Sequence, residues 1–147
     1  VELFVPLTEF LFQKVNSITA YEIDRSLVPI LHKRFSEKNL EIVNWGEIPN
    51  FDMIVNATSL GLKEDDEIKL DFSNSGSDKF FYDIIYNPKE TNFLIEAKNR
   101  GNIIENGKMM FLYQAQLAFE LWFNIKPEVN EEVIKLVEWL KLELQDL

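Results

Sequence analysis

Short, nearly unbroken apolar runs alternate along this chain with segments of helical spacing, and that alternation restricts the fold more than any other feature. Runs of strand length fall at 1–5, 17–23, 40–44, 51–57, 79–86 and 102–105. Strands buried on both faces read as continuous apolar runs, whereas strands with one wet face alternate. Between them, apolar side chains recur at helical spacing. Leu7, Phe10 and Leu11 do so in a segment reaching Asn16, and Leu27, Ile30, Leu31 and Phe35 do so in the next. Ser26 is the expected N-cap of that second helix, with Pro29 in its first turn. Two longer helices are expected at 90–100, closed by Gly101, and at 108–123. After Pro127 a last amphipathic helix begins near Asn130, with Val133, Val137, Leu140 and Leu144 on one stripe. The polar, acidic stretch 63–78 reads as a surface loop. The pattern predicts an α/β fold, a Rossmann-like, doubly wound and mainly parallel six-stranded sheet with helices on both faces. One domain over 1–147 is expected, with the helix in 128–147 packing on it.

Composition narrows the function classes. Lys and Arg number 15 against 25 Asp and Glu, a net charge of −10, so neither nucleic acid nor an anionic membrane surface is an expected partner. The chain has no cysteine, which excludes disulfides, zinc–thiolate sites and thiol catalysis. No apolar run has the length of a membrane span and no signal peptide is read, so the expected location is cytoplasmic. The chain opens on Val1 without a methionine, as a fragment, a processed product or an engineered chain would. No metal site is expected: the Glu64-Asp65-Asp66-Glu67 run lacks the spacing of a calcium loop, and His32, the single histidine, has no acidic or nucleophilic partner nearby in sequence.

The segment Asp52-Met53-Ile54-Val55-Asn56-Ala57-Thr58-Ser59-Leu60-Gly61-Leu62 ends an apolar strand in a small polar turn. In open α/β sheets ligands bind outside the carboxyl ends of the strands, so this turn is the expected meeting point with a cofactor. Asn56, Thr58 and Ser59 offer short polar side chains, and Gly61 allows close backbone approach.

That segment resembles the D-L-I-I-N-A-T-S-x-G-M signature of the shikimate dehydrogenases. Two further segments carry the same resemblance in order. Tyr82 to Thr91 reads Y-D-I-I-Y-N-P-K-E-T and is followed by Ala97-Lys98-Asn99-Arg100-Gly101. Asn106-Gly107, Met110, Tyr113-Gln114-Ala115 and Ala118-Phe119-Glu120-Leu121-Trp122 then match a third family motif. The resemblance covers about residues 40 to 130. It implies an NADP-binding domain of an oxidoreductase of aromatic amino acid biosynthesis, which reduces 3-dehydroshikimate to shikimate. It implies that Asn56, Ala57, Thr58, Ser59, Leu60 and Gly61 line the cofactor, that Gly107 and Met110 sit against its nicotinamide, and that Tyr86 and Gln114 reach the substrate. Arg25, in Asp24-Arg25-Ser26, matches the family arginine that holds the 2′-phosphate of NADP, while Asp24 departs from the family and favours the free hydroxyl of NAD.

The first third fits less well. The family's glycine-rich cofactor loop has as its expected equivalent Phe4-Val5-Pro6-Leu7-Thr8-Glu9, which holds no glycine. Residues 7 to about 44 instead resemble the start of ribosomal RNA dimethyladenosine transferases, through Leu7-Thr8-Glu9 and Glu22-Ile23-Asp24. That resemblance implies an S-adenosylmethionine-binding module with Glu22 on the ribose, and a chimaeric origin for the chain. The P-H-K and N-T-D motifs that carry the dehydrogenase's catalytic lysine and aspartate do not occur in residues 1–147. No catalytic residue is therefore assigned, and little or no dehydrogenase activity is expected from this chain alone; a non-catalytic folded remnant is the alternative. The substrate-domain face of the last two helices would be left uncovered, exposing Phe111, Trp122, Phe123 or Trp139, and a homodimer through it is expected.

Overall fold

The computed structural model describes residues 4–145 except 23, 44, 45, 47, 64, 65, 67 and 74, with side chains from Thr8 to Trp139. The order of elements is α1 (Phe4–Leu11), β1 (Ile18–Tyr21), α2 (Val28–Arg34), β2 (Leu40–Val43), β3 (Met53–Asn56), β4 (Phe80–Asp83), α3 (Asn92–Asn99), β5 (Ile103–Glu105), α4 (Lys108–Phe123) and α5 (Glu131–Gln145). All strand pairs are parallel, as the apolar runs require. The architecture is Rossmann-like α/β. Its described strands number five, not six, and they fall into two sheets, β1–β2 and β3–β4–β5.

The difference lies at the amino terminus. The run 1–5 was expected to be a strand, but Phe4 and Val5 open α1, and Val1 to Leu3 lie outside the described residues. Pro6 sits in the first turn of that helix, where a missing N–H costs little. α1 also ends earlier than expected, at Leu11. Ser26 does not cap α2: Leu27 occupies that position without a side-chain cap. Ser26 instead directs both its N–H and its hydroxyl to Asp24 Oδ1, at 2.9 and 2.6 Å.

The larger core cluster fills one face of the three-stranded sheet with Phe72, Phe81, Phe93, Leu94 and Ala97. The rings of Phe72, Phe81 and Phe93 meet at centroid separations of 5.3–5.7 Å, tilted or edge-on. Such pairs add about 0.5–1.5 kcal/mol each beyond the area they bury. Phe72 corrects the reading of 63–78 as surface loop: it is fully buried, and Ile68 and Leu70 pack on the same cluster. A second, smaller cluster under β1–β2 joins Leu31 and Phe35 to Phe12, Leu40 and Ile42.

α3 begins at Thr91, whose hydroxyl accepts from the Leu94 N–H, and the chain leaves it through Gly101 at φ +79°. Asn102 then ties this corner together. Its Oδ1 accepts from Lys79 N at 2.9 Å, and its Nδ2 donates to the Ala97 carbonyl at 3.2 Å. The salt bridge Lys108–Glu138 joins the start of α4 to α5. On α5, Val133 and Val137 are half-buried, while Leu140 and Leu144 lie outside the described side chains.

Candidate functional site

The carboxyl ends of β3 and β4 are joined by a buried polar network. Asn56, the last residue of β3, donates from Nδ2 to Asp83 Oδ1 and to the Leu60 carbonyl, both at 3.0 Å. Its Oδ1 accepts from the N–H and the hydroxyl of Thr58, at 3.0 and 2.7 Å. The amide is thereby fully used. Asp83, the last residue of β4 and completely buried, accepts also from Ile85 N at 3.0 Å and from Thr91 Oγ1 at 2.7 Å. One carboxylate therefore fixes the end of β3, the exit from β4 and the start of α3. Every polar side-chain atom buried among the described residues has a partner.

The network shapes the turn after β3. The Thr58 hydroxyl accepts from Leu60 N at 3.1 Å, and Gly61 turns the chain at φ +103°. A side chain at Gly61 would stand 3.3 Å from Thr91 and 3.6 Å from Ile85. Asn56 is buried inside the turn, Ala57 and Leu60 are half-buried, and Thr58 and Ser59 are exposed on it. Asn56 is thus a positioning residue for this turn, and the exposed groups are those of its neighbours.

The opening of α4 packs against the same place. Gly107 donates to the Ile85 carbonyl at 3.0 Å, and a Cβ there would lie 1.8 Å from the Ile84 carbonyl oxygen. Glycine is required by packing at this point, since its φ of −73° is open to any residue. Asn106 clamps the turn from both sides, donating to the Lys89 carbonyl at 2.8 Å and accepting from Lys108 N at 3.0 Å. The N–H groups of Gly107 and Lys108 at the opening of the helix are thereby taken. Met110 is half-buried. Tyr86 stacks on Phe111 with ring centroids 4.6 Å apart, which covers the Phe111 ring that was expected to lie bare. Gln114 is exposed one turn beyond Phe111.

The structure thus brings Asn56 to Gly61, Tyr86, Gly107 and Met110 around one end of the three-stranded sheet. Asp24, Arg25 and Ser26 follow β1, in the other sheet, and all three are exposed. Ser26 holds the Asp24 carboxyl below its ordinary range through its side-chain and then its backbone hydrogen bond. Arg25 enters no ion pair among the described residues. Glu9, the last residue of the expected equivalent of the cofactor loop, lies on α1 and pairs with Arg34 at 2.8 Å. Asp83 and Thr91 are the residues sequence reasoning missed. An acidic residue closing an otherwise apolar strand, with Thr91 eight positions on, was the available signal.

Among the described residues no helix is long and apolar enough to cross a membrane, and no cluster of His, Cys, Asp and Glu could hold a metal ion. Leu121, Trp122 and Phe123 at the end of α4 are 84%, 76% and 58% exposed, and Trp139 on α5 is 55% exposed.

A family model for the shikimate 5′-dehydrogenase C-terminal domain matches residues 110–133. The NADP(+) shikimate dehydrogenase of Pelagibacter ubique is 58% identical over 108 residues, covering 74% of this chain and 40% of that protein. A crystal structure of a shikimate dehydrogenase in complex with NADP+ superposes with a TM-score of 0.62 at 28% identity, over 75% of this chain and 40% of that one. A chorismate mutase/shikimate 5-dehydrogenase fusion protein from Clostridium acetobutylicum shares the fold with a TM-score of 0.70 at 24% identity, over 95% of this chain and 50% of that one. The chain spans about 40% of the length of the Pelagibacter relative.

Proposed function

The chain carries a carboxy-terminal domain of the shikimate dehydrogenase family, and on that premise we propose that it binds NADP across the carboxyl ends of its strands. The observation that carries this reading is the buried Asn56–Asp83–Thr91 network, which holds the 56–61 turn against the opening of α4. A rigid turn with exposed Thr58 and Ser59, set beside a helix mouth, suits a polar, anionic ligand. In this reading Ala57, Thr58, Ser59, Leu60 and Gly61 line the cofactor, with Asn56 acting through the turn that it holds. Met110 flanks the nicotinamide, and Gly107 lets α4 approach it. Tyr86 and Gln114 face the substrate. Arg25 supplies the guanidinium that prefers a 2′-phosphate, and Asp24 and Ser26 shape the turn that presents it. Bound in its reduced form, the cofactor would supply the hydride for reduction of 3-dehydroshikimate to shikimate in the whole enzyme, leaving as NADP+. The family's catalytic lysine and aspartate motifs are not among residues 1–147, so these residues are assigned the cofactor-binding part of the reaction.

Residues 1–147 act as one unit in this proposal, with α5 resting on α4 and a six-stranded sheet as its complete form. The exposed apolar end of α4 pairs two copies as a homodimer. Light scattering should then report twice the chain mass at high micromolar concentration, and Trp122→Glu should return it to the monomer; a monomer throughout would remove the dimer.

Calorimetric titration with NADP, NAD and S-adenosylmethionine tests the cofactor reading. NADP should bind more tightly than the other two, and Arg25→Ala should cost NADP about tenfold while leaving NAD unchanged. Equal affinity for NADP and NAD, or tighter binding of S-adenosylmethionine, would overturn it.

A further inference from the structure

Thr91 is a buried polar residue, 2% exposed, whose side chain meets three parts of the fold at once. Its hydroxyl accepts from Leu94 N at 3.4 Å, which caps α3, and donates to Asp83 Oδ2 at 2.7 Å. Its carbons stand beside the 56–61 turn: a Cβ added at Gly61 would lie 3.3 Å from both Cβ and Cγ2 of Thr91. The backbone that carries Thr91 is anchored, because Phe93, Leu94 and Ala97, next on α3, all belong to the larger core cluster. A β-branched side chain is stiff about its first torsion, so the anchored backbone also aims the hydroxyl.

The two oxygens of Asp83 divide their work. Oδ1 accepts from Asn56 Nδ2 and from Ile85 N, each at 3.0 Å, and Thr91 is the donor at Oδ2. A carboxylate held at one oxygen can still turn about its Cβ–Cγ bond, and a donor at the second oxygen stops that rotation. The plane of Asp83 then sets the Asn56 amide, whose Oδ1 takes the N–H and hydroxyl of Thr58. The Thr58 hydroxyl in turn takes Leu60 N at 3.1 Å. A directed chain of hydrogen bonds therefore runs from Thr91 to the middle of the turn, and the Thr91 carbons back its far end at Gly61.

We propose that Thr91 is the positioning residue that sets the ligand-binding shape of the 56–61 turn, its hydroxyl acting through Asp83 and Asn56. The ligand part of this inference rests on the reading of that turn as the cofactor's lining. Thr91 touches no ligand in that reading. It acts as the support that holds a lining group in place, and a loose support costs affinity without removing any contact. The hydroxyl is the essential group, because it alone fixes the second oxygen of Asp83. Serine keeps that hydroxyl and valine replaces it with a methyl group, so the two substitutions separate orientation from packing.

The test is amide hydrogen exchange of the free chain, followed by calorimetric titration with NADP. In Thr91→Val the Thr58 and Leu60 amides should exchange about tenfold faster than in the parent, and the NADP dissociation constant should rise about tenfold. Thr91→Ser should stay within about threefold of the parent in both readouts. Phe72→Leu is the control for lost stability, since it thins the aromatic core and leaves every bond of the turn in place. It should lower the urea midpoint yet move neither the two amides nor the affinity by more than about twofold. Exchange at Thr58 and Leu60 unchanged in Thr91→Val, or raised no more than in Phe72→Leu, would overturn the proposal. So would a serine variant as loose as the valine one, which would assign the role to the methyl group. Should Thr91→Val not fold, the serine variant decides by the same two amides. A parent chain that binds no NADP would remove the cofactor reading, while the exchange arms would still decide whether Thr91 holds the turn.

Discussion

Replacing Gly107 by alanine adds one methyl group at the tightest point of the candidate site. That Cβ would stand 1.8 Å from the Ile84 carbonyl oxygen and 2.5 Å from its carbon. An ordinary carbon–oxygen contact is about 3.3 Å, so the two backbones must part by about 1.5 Å. Neither is free to move. Ile84 N donates to the Asn56 carbonyl at 3.1 Å, and Gly107 N donates to the Ile85 carbonyl at 3.0 Å. Overpacking costs about 1–3 kcal/mol, and the lost Gly107–Ile85 bond about 1 more. We expect Gly107→Ala to destabilise the chain by about 2–4 kcal/mol and to lower its urea midpoint by about 1–2 M. Gly76→Ala is the control. Gly76 has φ +77° and nothing within 4 Å of its added Cβ, so only backbone strain of about 1 kcal/mol applies. Circular dichroism during urea unfolding of both variants decides the matter. A loss at Gly107 of under about 0.5 kcal/mol, or one smaller than that at Gly76, would refute the crowding argument.

Asp83→Ala should cost about 3–4 kcal/mol, because Asn56, Ile85 and Thr91 lose a buried acceptor. It should also speed exchange in the 57–61 turn, and a variant as stable as the parent would show that the network does not hold that turn. Burial first, and then the charges of Glu105 and Asp83, raise the Tyr82 phenol above its ordinary value of 10.0. Both states are neutral below that value; above it the unfolded chain ionises before the folded one, so this contribution is lost as pH rises through the folded value. Tyr82→Phe should therefore flatten the fall in stability between about pH 9 and pH 11, seen as urea midpoints, and an unchanged slope would count against the assignment.

Where strands and helices are joined locally, the sequence was legible. The helix at 108–123 carries its own opening, Asn106-Gly107, and the structure has the same bounds. The exit through Gly101 was marked by its glycine, and β3 ends at Asn56, one residue before the expected end, whereas the run 79–86 was expected to stay a strand to Tyr86 and β4 stops at Asp83. The errors arise where partners distant in sequence decide. Phe72 is apolar within a polar stretch, and only the alternation of Ile68, Leu70 and Phe72 hinted that one face of that segment enters the core. Run 1–5 has strand composition, but a strand needs a neighbour, and Phe4 and Val5 join a helix instead. Asn56 was read as a group facing a ligand. Its hydrogen-bonding capacity is consumed by Leu60, Asp83 and Thr58, of which Asp83 lies 27 residues away.

The two core clusters share no residue, and they differ in size. The three-stranded half rests on an aromatic cluster closed by α3, whereas the β1–β2 half rests chiefly on Leu31 and Phe35. Cooperativity follows shared packing, so loss of structure on heating should run in two steps, with the β1–β2 half melting first. A molecule touching both Arg25 and the 56–61 turn would stabilise only the state in which both halves are formed. Its binding would draw the lower transition towards the upper one, so the chain would behave as one cooperative body with the ligand and as two without it.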